Sequence, residues 1–302
     1  MEFGPDSYRD GIWNLVFVIW DLEPGIWNLE FVVCYLVFVI WNLEFGPWNF
    51  KKLMMKHTLI FFCLLLAFGA CRKTATNPEV LPNSYSDQAL GKSANDLLSG
   101  SKYTSLNVQV QYMPGYSLDT ATISALSAYL NMLCNKPGGI NITQAQIAGN
   151  GGDSLTVDQV AVLEVKNRTA YTSGTTLDVY ILVTDGYDTA GTVLGFAYRN
   201  TSIALMGKAI FDHSGGFGEI GRAALESSVL EHEFGHILGL VNLGTPMQVF
   251  HQDTAHGNHC NNANCLMHYS IETNGAFNIF HPATIPVLDS NCRNDLHANG
   301  GK

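Results

Sequence analysis

The sequence predicts an α+β domain, a twisted mixed sheet over one long helix with a small C-terminal subdomain. Three features of the 302-residue chain point to it. Strand-like and helix-like patterns alternate between residues 105 and 211. One apolar-faced helix follows, from near Gly221 to near Gly239. The remainder is a turn-rich stretch of His, Asn and Cys whose Val287, Leu288 and Leu296 suggest a closing helix.

Residues 1–53 are set aside as repetitive sequence upstream of the true start. GIWNL stands at 11 and 25, VFVIWDL at 16 and VFVIWNL at 37, offsets of 14 and 21. A heptad period suits an amphipathic helix, but near-identical words recur here where a helix would keep only its apolar positions. A second beginning, at Met54 or Met55, has the order of an export signal over 54–71: Lys56, an apolar run from Leu59 to Phe68, small Gly69 and Ala70, then Cys71. The run falls short of the roughly 20 residues that span a bilayer. Its last word, FGAC, resembles a bacterial lipobox, which implies a lipid on Cys71 and a chain anchored in the cell envelope. An ordinary cleaved signal is the alternative, and export is common to both. Residues 72–87 have the Pro, Ser, Thr and Asn content of a tether, and 88–302 form one domain.

Within the domain, SLNVQVQYM (105–113) alternates as a half-buried strand, and MPGY turns the chain. From Asp119 to Leu133, Ile123, Leu126, Tyr129, Leu130 and Leu133 make one helical face that KPGG ends. GINIT is a short strand, TVDQVAVLEVKN (156–167) a second helix, and TLDVYILVTDG (176–186) the strongest strand in the chain. VLGFAYRNTSIALMGKAIF (193–211) offers two more strands around Arg199 and Asn200.

The formal charge is −10, with 12 basic against 19 acidic residues after Cys71 and no basic cluster, so nucleic acid is not an expected partner. Nothing suggests more than a monomer. Past the anchor, Cys134, Cys260, Cys265 and Cys292 are an even number in an exported chain, which suggests disulfides. The short loop favours Cys260 with Cys265, leaving Cys134 with Cys292. A structural zinc site using Cys260 and Cys265 is the competing reading.

HEFGHILGLVN (232–242) carries the chemistry. Histidines four apart share one helix face and can reach one metal, and Glu233 between them can take a proton from water activated there. A catalytic zinc needs a third protein ligand. Six residues beyond His236, where the long metzincin signature has its third histidine, stands Asn242, a poor zinc ligand. The downstream stretch HQDTAHGNHCNNANCLMHY (251–269) supplies His251, His256 and His259. In it, His259-Cys260-x4-Cys265-x-Met267 resembles the H-C-x4-C-x-M run of the archaemetzincins, with the histidine displaced 17 positions downstream of Asn242.

That resemblance, over about 232–269, implies a metzincin-like zincin with zinc on His232, His236 and His259. His251 is the second choice for the third ligand. It also implies a methionine turn at Met267, and Tyr269 two residues on as a candidate to steady the oxyanion, with an ordinary core role equally open. The word order also resembles zinc-metalloprotease lipoproteins of Bacteroidetes-type bacteria. The implied function is a zinc endopeptidase acting on protein or peptide laid along an edge strand, for which 194–205 is the candidate. Alternatives are a non-catalytic, zinc-containing surface-binding lipoprotein, and a gluzincin drawing on Glu272, although SIETNGAFN does not look helical.

Overall fold

The computed structural model describes residues 80–217, 219–273 and 286–302. The repeats, the export signal with Cys71 and the first part of the tether lie outside these residues. The described residues belong to a compact unit running from Thr76 to Lys302. Its packed chain begins before residue 88: Leu81 is buried, Asn83 donates to the Thr172 carbonyl at 3.1 Å, and the Tyr85 hydroxyl donates to Asp96 at 2.8 Å.

After a short helix α1 (Ala94–Leu98), the chain alternates: β1 (Ser105–Tyr112), α2 (Thr120–Leu133), β2 (Ile140–Gln146), α3 (Val157–Asn167) and β3 (Thr176–Val183). Helices α2 and α3 each start at a side-chain cap. Asp119 accepts from the Ala121 N–H, and Thr156 and Gln159 form a reciprocal capping box that satisfies two otherwise orphaned N–H groups. Then come β4 (Gly195–Arg199), β5 (Ser202–Leu205), α4 (Gly207–Asp212), the long helix α5 (Arg222–Ile237), a single 3-10 turn (Tyr269–Ile271) and α6 (Ser290–Ala298).

The sheet order is β2-β1-β3-β5-β4, parallel throughout except for the antiparallel β4–β5 pair. The expected mixed sheet is present, but the segregated α+β arrangement is not. Parallel neighbours cannot be joined by a tight turn, so α2 and α3 serve as crossovers and the architecture is mixed α/β. Strand β3 is buried along nearly its whole length, as its continuous apolar run requires in the middle of such a sheet. Strand β4 lies at an edge. Among the described residues, the first half of the candidate substrate-binding segment 194–205 is therefore the part with an unpaired strand edge.

Two buried polar networks fix the frame. Glu164 on α3 pairs with Arg168 at 2.8 Å and Arg199 at 2.6 Å and accepts from Ser202 Oγ at 2.6 Å, tying α3 to the β4–β5 hairpin. Glu226 on α5 accepts from the Asp119 N–H, Thr122 Oγ1 and Arg222 Nε at 3.0, 2.8 and 2.7 Å, locking α5 against the start of α2. Helix α5 also packs on β4 and β5. Every residue from Leu225 to Ile237 is buried, so this helix is enclosed on all sides rather than amphipathic.

The chain leaves α5 through left-handed turns at Gly239 (φ 78°), Val241 (φ 51°) and Asn242 (φ 65°). Beyond them, the bridges Gln252–Cys260 and Cys265–Val287 organise a small C-terminal part that ends in α6, with Leu288 and Leu296 buried.

Candidate metal centre

Helix geometry sets His232 and His236 on one face of α5, with their Nε2 atoms 3.2 Å apart. His259 joins them from the C-terminal part. The three rings form a triangle with centroids 4.9, 5.2 and 5.1 Å apart. His232 Nδ1 lies 2.6 Å from the Leu266 carbonyl, and His259 Nδ1 lies 2.5 Å from that of His256. A carbonyl can only accept, so in both rings Nδ1 carries the proton and Nε2 turns a lone pair toward the centre of the triangle.

The remaining histidines and Asn242 are elsewhere. His251, the second choice for third ligand, is buried with Nε2 on Asp295 at 2.7 Å and Nδ1 toward the sulfur of Cys260 at 3.4 Å. Asn242 is exposed, and its side chain suits the left-handed backbone that its position demands.

A fourth group reaches the triangle. The Glu272 carboxylate lies 3.4 Å from His259 Nε2 and 3.7 Å from His232 Nε2. The four donor atoms all fall within 4.8 Å of one another. Zinc bonded to nitrogen or oxygen at about 2.0–2.1 Å gives a tetrahedral edge of about 3.4 Å, so these separations suit a ligand set around one ion. At this site His259 Nε2 and both oxygens of Glu233 are buried without a hydrogen-bond partner, which points the same way. The donor set therefore fits a zinc-type cation.

Charge and burial shape the ionisation of these groups. Burial pushes the Glu233 carboxyl well above the usual carboxylate range; the Glu272 charge adds to this, and the nearby main chain of Ala197 on β4 offsets a part. Burial holds His236 well below the ordinary imidazole range, helped by the two neighbouring histidines.

Met267 lies fully buried beneath the helix. A Cβ on Gly235 would come within 2.2 Å of its Sδ, so the glycine in HEFGH makes room for this thioether floor. Tyr269 starts the 3-10 turn, and its ring stacks on His256 with centroids 3.8 Å apart. The acidic side chain that reaches the imidazoles is Glu272, three residues further on. Its signal in the sequence is only a carboxylate downstream of the motif, and a 3-10 turn rather than a helix delivers it.

The cysteines depart from the expected pairing. Cys134, Cys260, Cys265 and Cys292 are all free and buried. Cys265 and Cys292 stand 3.7 Å apart, sulfur to sulfur, far beyond the disulfide length of about 2.05 Å. Neither of the expected pairs, 260–265 and 134–292, is bridged. Instead, Cys260, Cys265, Cys292 and the α6 cap Asp289 form a second four-atom cluster. Zinc–sulfur bonds of about 2.3 Å give an edge of about 3.8 Å, close to the distance seen. Hydrogen bonds from Cys260 and then Cys292 bring Cys265 down to about 4, against its burial, whereas burial pushes the isolated Cys134 up to about 12. One is poised as a thiolate ligand and the other is an inert core thiol.

No family model and no curated protein matches the chain. Among solved structures, it is similar to an archaemetzincin from Methanopyrus kandleri, over 66% of this chain and 96% of that one, at 14% identity and a TM-score of 0.41. At that level of similarity, function has to be read from the geometry of the site itself.

Proposed function

We propose that this chain is a zinc-dependent endopeptidase, and the observation that carries the proposal is the convergence of three imidazoles beside a buried, unpartnered Glu233. His232, His236 and His259 would hold the zinc, with Met267 as the apolar floor. Zinc so held supplies Lewis acidity, lowering the pKa of water and polarising a carbonyl.

The chain's own groups do the rest. Glu233 Oε takes the proton of the attacking water and passes it to the leaving amine nitrogen. The open side of β4 offers main-chain hydrogen bonds to an extended peptide, and Ala197 places that strand next to Glu233. Nothing in the present geometry puts Tyr269 in the chemistry.

A second cation on Cys260, Cys265, Cys292 and Asp289 would be structural, because four protein donors leave no open position. The lipid anchor on Cys71 and the envelope location belong to the same proposal and rest on residues 54–71 alone. Among the described residues, no helix is long and apolar enough to cross a membrane.

The test is metal content and casein hydrolysis of the full-length chain. Wild type should carry about two zinc ions per chain, one for each cluster. Glu233→Ala should keep both and lose at least about 10²-fold in kcat/KM. His259→Ala should lose one ion and all hydrolysis. Hydrolysis that survives Glu233→Ala, or full zinc content in His259→Ala, refutes the assignment.

A further inference from the structure

We infer that Glu272 is the fourth ligand of the histidine-held cation, so that the resting site is closed and opens only when this carboxylate is displaced. The inference rests on the peptidase reading and adds to it a built-in restraint.

The hydrogen-bonding pattern leaves little else for Glu272 to do where it stands. His232 and His259 spend their one N–H each on a main-chain carbonyl, so the nitrogens facing Glu272 are acceptors. A carboxylate opposite two lone pairs is repelled unless a cation lies between them. Were either ring protonated and paired with Glu272, the contact should shorten to about 2.7–2.9 Å. At 3.4 and 3.7 Å, the distances instead match neighbours on one coordination sphere. Glu272 would also cancel half the charge of a buried dication that three neutral imidazoles leave whole.

The backbone holds Glu272 in place. Its carbonyl accepts from the Leu194 N–H at 2.7 Å, and Val193 bridges to Thr273, so the residue is fastened at the point where the edge strand β4 begins. Among the donors whose side-chain exposure bears on displacement, Glu272 is the most open, 24% against 10% for His259 and 0% for His232. The most exposed of these donors is the one an incoming carbonyl or solvent molecule meets first. When it leaves, a carboxylate oxygen is exchanged for a neutral oxygen, with no other bond made or broken.

The test replaces zinc with Co(II) in the full-length chain and titrates acetohydroxamate, a bidentate ligand that must evict Glu272, against the cobalt absorption spectrum. Glu272→Ala and the volume-conserving Glu272→Gln should both bind acetohydroxamate at least about tenfold more tightly than wild type. In chelator competition, the histidine site of both variants should hold zinc at least about tenfold more weakly. The cobalt–thiolate absorption of the cysteine cluster serves as an internal control of folding. Unchanged hydroxamate and zinc affinities in both variants overturn the closed-site inference while leaving the peptidase reading intact. A hydroxamate response that His259→Ala does not abolish overturns both.

Discussion

Asn242 occupies the position where a zinc-peptidase signature would place its third histidine, yet it is exposed and has a φ of 65°. Its side chain serves the turn, so Asn242→His should leave zinc content unchanged by elemental analysis, and Asn242→Val should cost about 1–3 kcal/mol in urea unfolding by forcing a branched residue into the left-handed region. Gly235 is constrained from the opposite direction. Alanine is the better helix former by about 1 kcal/mol, but its Cβ would collide with the fully buried Met267. Gly235→Ala should therefore lower stability by roughly 1–2 kcal/mol; a rise in the urea midpoint would show that Met267 can yield. At this scale, sequence names the residues whose partners are local. His232, Glu233 and His236 follow from spacing on one helix, and His259 from a short downstream word. Asp289 and the role of Cys292 do not, and Glu272 enters only as an alternative ligand expected on a helix, because their partners come from distant parts of the chain. Counting cysteines supplied parity without geometry, and parity suggested bridges where the fold gathers three thiols around a carboxylate.

The elements themselves were largely legible. The periodic runs at 105–113, 119–133 and 156–167 became β1, α2 and α3 within a residue or so of their expected ends, since alternation, helical faces and caps are local signals. The parallel pairing was not, because it depends on which strands meet, and helix α4 was hidden in a run that looked like strand throughout. Glu164 illustrates a cost that only the assembled elements reveal. It is a helix residue in sequence but a buried counter-ion for two arginines in the fold. Glu164→Ala should destabilise the domain by about 3–5 kcal/mol, since it leaves Arg168 buried without its carboxylate partner. Hydrogen exchange at β4 and β5 should accelerate with it, and unchanged protection there would mean that the network does not hold the hairpin.

Across the whole molecule, the histidine cluster joins the sheet-packed helix α5 to the C-terminal part, and the cysteine cluster ties segments of that part to one another. Metal-binding energy is then also folding energy. Treatment with EDTA should lower the thermal midpoint and expose 251–273 to proteolysis before the sheet unfolds; a midpoint indifferent to chelator would show that the C-terminal part stands without its ions. His259 serves one cluster and Cys260, its immediate neighbour, serves the other. Filling either cluster fixes the backbone that the other needs, so the second ion meets a chain whose ordering has already been done. Chains given less zinc than they can hold should accordingly divide into empty and doubly loaded molecules, with few in between, a distribution that native mass spectrometry reads directly.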